Sequence, residues 1–303
     1  MRSNLEKKWD VYSDENVGSS VEQYVAQVNT LTLIRHLNLL IISGQKHRGA
    51  KLALLGGDAS FEPKLLELKN QIAKRIDVIS VLNSQYFNII SPMDLRALEG
   101  DWRLLEKSDC GGSIESCYEL HNAFIESLLG LMWRMVSMIY LNHPSGSMAQ
   151  ASSEPSSALF FDKDQQTLLK ITVRLMPELI ETMAKLRGIA TFVAVIGVCE
   201  DENQKRLAYL LQVLSNRKDQ LADLSKSLGH TTLSALPAFA ELFLHEHKLD
   251  QLQRVVRQEF MSNSEIKTGS QEIFDFVTSI VEVYYKAVEA GIDYFQHKIE
   301  SVL

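Results

Sequence analysis

Apolar residues recur every three or four positions along almost the whole chain, the spacing that puts them on one face of an α-helix. The strict alternation of a half-buried strand is nearly absent. A first long helix is predicted over about 21–55, with Val21, Tyr24, Val28, Leu31, Leu37, Ile41, Leu52 and Leu55 along one side. Gly56-Gly57 ends it, as glycine does past a helix C-terminus. A second helix starts near "SFEP", with Ser60 as its N-cap, and runs to about Phe87. "SPMD" starts a third, with Ser91 as cap and Pro92 in the first helical position, ending near Lys107. The fourth, about 114–141, is long and strongly apolar. Residues 142–158, "NHPSGSMAQASSEPSSA", are rich in Ser, Pro, Gly and Ala and read as a linker.

The fifth helix begins near Asp162, which with Gln165 has the pattern of a capping box, and reaches about 197 with a kink at Pro177. A sixth covers about 202–228, a seventh about 231–261 with Pro237 inside it, and an eighth runs from about Ser270 to the C-terminus. The expected fold is therefore all-α: two antiparallel four-helix bundles, 1–141 and 159–303, joined by the 142–158 linker and by long helices shared between them.

Composition narrows the function classes. The chain has 303 residues, 46% hydrophobic and 23% charged, as a globular domain would. A net charge of −7 argues against general nucleic-acid binding, which needs a basic face. The three cysteines, Cys110, Cys117 and Cys199, have no CxxC spacing and suggest neither a zinc site nor a disulfide framework. The first twenty residues are polar, unlike a signal peptide, and "GIATFVAVIGVC" is too short to span a bilayer. A native start at Met1 implies a cytoplasmic protein with no membrane partner.

One element repeats. "GQKHRGAKLALL" in the first helix is echoed by "MAKLRGIATFVAV" in the fifth: Lys, then Arg-Gly, then a small apolar run. Helical spacing sets Arg48 on a face with Ile41, Gly44, Leu52 and Leu55, and Arg187 with Ile180, Met183, Ala184, Ala190 and Ala194. Both arginines are thus expected to point inward, with Lys46 and His47 as flanking charges. An inward arginine keeps its proton and needs a partner: a carboxylate of its own chain, carbonyls, or a bound anion. Internal pairing is the commoner solution. A planar guanidinium fork equally suits a planar oxyanion or a carboxylate ligand.

These stretches carry a family resemblance. "GQKHRGAKLALLGGDASFEPKLLELKNQIAKRI" is similar to the Gln-x-x-Arg-Gly helix, Gly-rich turn and second helix of the nitrate- and nitrite-sensing (NIT) domain family. "ALFFDKDQQTLLKITVRLMPELIETMAKLRGIATFVAVIG" resembles the second Arg-Gly region of that family and of related double-bundle sensor regions of bacterial chemoreceptors. "ELHNAFIESLLGLMWRMVSM" and the C-terminal "SQEIFDFVTSIVEVYYKAVEAGIDYF" resemble other receptor helices. The acidic residue that precedes the family's arginines is replaced here by His47 and Leu186, and 142–158 resembles an insertion. The resemblance implies a non-enzymatic sensor that binds a small anion such as nitrate, nitrite or a carboxylate between the bundles. Arg48 and Arg187 would clamp the anion, Lys46, His47 and Lys185 would add positive potential, and Gly49 and Gly188 would allow close helix approach. No output module is recognisable, so signalling is expected through a protein partner or through self-assembly. The alternative is a helical interaction module or homodimer whose arginines are paired internally.

No cofactor or metal is expected. His245 and His247 are two apart, on different helix faces, and Glu119 and His121 lack the Glu-x-x-His spacing of di-iron bundles. His47 lacks the downstream Lys-Gly pattern of a phosphotransfer histidine. "GGDAS" lacks the strand and Gly-Lys-Ser/Thr of a phosphate loop. The aromatic residues Trp102, Trp133, Tyr140, Tyr284, Tyr285 and Tyr294 fall at core or interface spacing.

Overall fold

A computed structural model describes residues 15–108, 113–141, 161–229, 236–262 and 265–301. The expected linker at 142–158, Cys110 and the expected start of the seventh helix at Thr231 lie outside them. Among the described residues the fold is all-α, without strands. Ten α-helices follow in order: α1 (Glu15–Leu55), α2 (Glu62–Gln85), α3 (Pro92–Lys107), α4 (Ile114–Leu141), α5 (Lys163–Lys170), α6 (Met176–Ile196), α7 (Asp201–Lys226), α8 (Pro237–Leu244), α9 (Glu246–Val255) and α10 (Ser270–Glu300).

The capping chemistry explains most boundaries. Ser91 accepts from the Asp94 backbone N–H, with Pro92 in the first turn of α3. Asp162 and Gln165 form both halves of a capping box on α5. Gly197 closes α6 in the left-handed region at φ 73°, where glycine carries no Cβ penalty. At the α1–α2 turn the expected cap is corrected. Asp58, not Ser60, is the acceptor: its carboxylate takes the Ser60 N–H and hydroxyl and opens a short 3-10 turn, Ala59–Phe61, ahead of α2. The same carboxylate accepts from Ser270 at 2.6 Å, tying this turn to the start of α10.

Pro177 acts differently from a simple kink. The helix widens into a π turn at Ile171–Leu175, where the Met176 N–H reaches back to the Ile171 carbonyl. A proline ring in a regular helix clashes with the carbonyl four residues earlier and leaves it unbonded. The wider turn immediately before Pro177 accommodates that missing bond within one continuous rod from α5 into α6. Pro237 is likewise the first residue of α8 rather than an interior residue, and the expected seventh helix is broken at His245.

Two helices organise the core. α1 packs against α2, α4, α6 and α10, and α6 packs against α1, α7 and α10. One hydrophobic cluster runs across both halves, from Leu37, Leu40 and Ile41 on α1 to Leu179, Ile180 and Met183 on α6. The stretch Tyr24–Leu55 is long and apolar enough to cross a membrane by composition, a longer candidate than the "GIATFVAVIGVC" run. Half of its most apolar window is buried here among the other helices.

Candidate functional site

The two Arg-Gly sites meet where α1 crosses α6. Arg48 and Arg187 are the largest fully buried side chains among the described residues. Each helix approaches the other over a glycine. A Cβ on Gly49 would lie 2.8 Å from the Phe274 ring and 3.6 Å from Arg187 Nε. A Cβ on Gly188 would lie 3.1 Å from Leu52 and 3.9 Å from Arg48 Nε. Each glycine thus faces the arginine of the other half, and the volume that a side chain would take is filled by Phe274 at Gly49 and by Leu52 at Gly188.

The settings of the two arginines correspond. Arg48 lies over the Tyr118 ring at 5.8 Å and donates from Nη1 to Asn122 Oδ1 at 2.8 Å. Arg187 lies over the Phe274 ring at 4.7 Å and donates from Nη1 to Thr278 Oγ1 at 2.8 Å. In each case an aromatic residue and a polar residue one helical turn later, on α4 or on α10, receive one guanidinium. The Thr278 hydroxyl spends its own proton on the Phe274 carbonyl, so its oxygen is free to accept from Arg187.

One residue breaks the correspondence. Glu181 on α6, 3% exposed, accepts from Arg48 through both oxygens, at 2.6 and 3.2 Å. Gln45 donates to the same carboxylate at 2.8 Å, and the Tyr285 hydroxyl donates to Gln45 Oε1. The bidentate geometry is the strong form of this pair. Burial alone would lower the Arg48 pKa, but the charge and hydrogen bonds of Glu181 outweigh it and raise it. Arg187 has no carboxylate within ion-pair distance among the described residues, while the buried Nε of each arginine has no hydrogen-bond partner. Burial, reinforced by the Arg48 charge, lowers its pKa to about 10. Two guanidinium groups and one carboxylate leave this buried seam with a formal surplus of one positive charge.

The flanking residues divide. Lys46 lies at the edge, 3.3 Å from Glu282. Lys185 pairs with Glu126 at 2.6 Å and stands 3.9 Å from Glu181. Both lysines stand at the edge of the seam, each paired with a carboxylate that offsets its charge. His47 does not. It is buried, stacked on His121 at 5.1 Å and edge-on to Trp102 at 5.5 Å. His121 Nδ1 is 2.7 Å from the Cys117 carbonyl, so it carries the proton there and its Nε2 is an acceptor. His47 Nδ1, 2.8 Å from that Nε2, is then the donor, and His47 Nε2 is a buried acceptor with no partner. Burial, then the neighbouring His121, lowers the His47 pKa well below its ordinary value, and burial lowers that of His121 to about 3. Both rings are neutral at pH 7. The expectation that His47 is a flanking charge adding positive potential is corrected: the long helix α1 is covered on nearly every side in this region, and desolvation forbids the charged form.

The sequence singled out Arg48, Arg187 and both glycines, and the fold brings them together. It missed Glu181, Asn122 and Thr278, met Gln45 only as the glutamine of the Gln-x-x-Arg-Gly motif, and placed Tyr285 only among core or interface aromatics. The one usable signal was Glu181 itself, an acid among the buried positions Leu179, Ile180 and Met183. No group of three or more His, Cys, Asp or Glu side chains fit to hold a metal ion occurs among the described residues. Cys117 and Cys199 form no disulfide. His245 marks the break between α8 and α9, with its ring 6.3 Å from that of His247. Comparison with protein-family models, with curated proteins and with solved structures gives no match.

Proposed function

We propose that this chain is a non-enzymatic sensory or regulatory protein, similar in principle to NIT domains, that binds one small anion at the crossing of α1 and α6. Arg187 is the receptor and Arg48 is not. The observation that carries this reading is the asymmetry between two otherwise matching arginines. Arg48 already holds Glu181 through two bonds, whereas Arg187 is buried with a single neutral hydrogen-bond partner. A buried, uncompensated guanidinium is costly, and a planar anion such as nitrate, nitrite or a small carboxylate removes that cost through charge-assisted bonds.

The response follows from the packing. Gly49 against Phe274 and Gly188 against Leu52 leave no slack at the crossing. An anion next to Arg187 therefore requires a different spacing of α1, α6 and α10. Binding then favours that spacing by the difference in affinity between the two arrangements, which is how a ligand moves a conformational equilibrium. The change would pass to a protein partner or to a second copy of the chain.

Thermal unfolding with nitrate, nitrite, formate and acetate, for the wild type and for Arg187→Met, tests this. At least one anion should raise the wild-type midpoint in a saturable way and leave Arg187→Met unmoved. Equal shifts in both proteins would remove Arg187 from the account. A second reading, a helical interaction module without a small ligand, draws on the internal Arg48–Glu181 pair. It predicts no saturable shift with any anion.

A further inference from the structure

A cleft of about 620 Å³, not lined by Arg187, opens between α4, α6 and α7. Tyr118, Asn122 and Glu181 lie at its buried side, and the latter two are the acceptors that hold Arg48. The cleft is a slot. α4 and α6 run antiparallel along it, since Lys185 meets Glu126 near one level and Arg174 covers the Trp133 ring, at 4.7 Å, at another. From Glu119 to Trp133 the α4 wall is roughly 20 Å long at the α-helical rise. A wall of that length suits an extended chain rather than a round molecule.

Its charges are matched overall but not locally. At the Trp133 end Glu178 serves two guanidinium groups, Arg174 at 3.3 Å and Arg217 at 3.4 Å, leaving a surplus cation. Nearer the other end Arg206, which lies over Tyr118, is satisfied by Glu115 and Glu202, while Glu119 makes no ion pair among the described residues. Between the ends, Leu129, Val173, Leu210 and Val213 supply apolar wall. The complementary ligand is elongated, cationic at the Glu119 end, anionic at the Arg174/Arg217 end, and apolar or polar between.

We propose that this cleft binds a short extended peptide with free termini, its ammonium group toward Glu119 and its carboxylate toward Arg174 and Arg217. At about 3.3 Å per residue, four or five residues span the distance between these groups once their side-chain reach is subtracted. An extended backbone sets successive side chains alternately toward opposite sides of the cleft. The site does not depend on the anion reading, because Arg187 does not line it.

Calorimetric titration of the full chain with a mixed-sequence pool of free tetrapeptides and pentapeptides tests the proposal, with C-amidated and N-acetylated pools alongside. Free peptides should bind saturably, and either cap should weaken binding about tenfold, the loss of one charge-assisted contact. Glu119→Gln, at an exposed position without an ion-pair partner, should weaken the free pool but leave the acetylated pool unchanged. Val213→Trp, which fills the slot, should abolish binding, and Arg187→Met should preserve it. No binding by the free pool, equal binding of capped and free peptides, or indifference to Glu119→Gln would overturn the proposal. Loss of peptide binding in Arg187→Met would place the peptides at the arginine crossing instead of in this cleft, again overturning it.

Discussion

Glu181 and Arg187 sit on the same helix, and unequal consequences follow from removing their charges. Glu181→Gln leaves Arg48 and Arg187 buried side by side with no carboxylate between them. Breaking a buried pair by neutralising one partner typically costs about 3–5 kcal/mol. Arg187→Met removes a cation that burial disfavours. The fall of its pKa from 12.5 to about 10 corresponds to roughly 3 kcal/mol of cost in holding the charge. Against this stand the loss of the Phe274 ring contact, about 1 kcal/mol, and of the charge-assisted Thr278 hydrogen bond, about 1.5–3 kcal/mol. The net expectation is a change near zero, so the two variants should lie about 3–5 kcal/mol apart. Urea midpoints at pH 7 in an anion-poor buffer measure the contrast. An Arg187→Met protein that loses as much stability as Glu181→Gln would mean that Arg187 has a buried carboxylate partner in solution. The charge surplus at the crossing would then not exist.

The His47–His121 pair predicts a pH dependence of a definite sign. Both pKa values are lowered in the folded chain, so the unfolded chain binds more protons in acid. This contribution to stability is complete above the ordinary histidine pKa near 6.5 and is lost as pH falls toward the folded value of about 3. For His121 alone the loss between pH 8 and pH 5 is about 2 kcal/mol, measurable as a lower urea midpoint, and His121→Gln should flatten the slope. At the helix crossing, Gly49→Ala places a Cβ 2.8 Å from the Phe274 ring and should cost about 1–3 kcal/mol by overpacking. Gly188→Ala should cost less, because its 3.1 Å neighbour is the end of the flexible Leu52 side chain, and comparing the two thermal midpoints checks this order.

Much of the fold is legible in local chemistry. The Asp162–Gln165 box, the Ser91-Pro92 start and the Gly56-Gly57 stop mark helix ends because each satisfies terminal backbone groups through residues close in sequence. The class and the inward direction of both arginines follow from the 3.6-residue period. The misreadings share a cause. Face arguments assume one dry side and one wet side, but α1 is buried almost all round from Leu40 to Ala53, so His47 lies inside although it neighbours Arg48. Periodicity also cannot say which of several neighbouring helices a buried side chain meets. Arg48 and Glu181 are 133 positions apart, and nothing local to either announces the pair. The Pro177 π turn escapes for a related reason. Proline reports a missing hydrogen bond, which a widened turn accommodates as well as a kink does.

Arg187 and Arg48 predict different anion-binding behaviour, depending on which of them receives the anion. The direct measurement is calorimetric titration of the anion that most stabilises the wild type into three proteins: wild type, Arg187→Met, and the double variant Arg48→Met/Glu181→Gln, which removes the internal pair as a unit. One-site binding that disappears in Arg187→Met and survives in the double variant is the predicted result. Binding that persists in Arg187→Met, or that disappears only when the Arg48–Glu181 pair is removed, would contradict it.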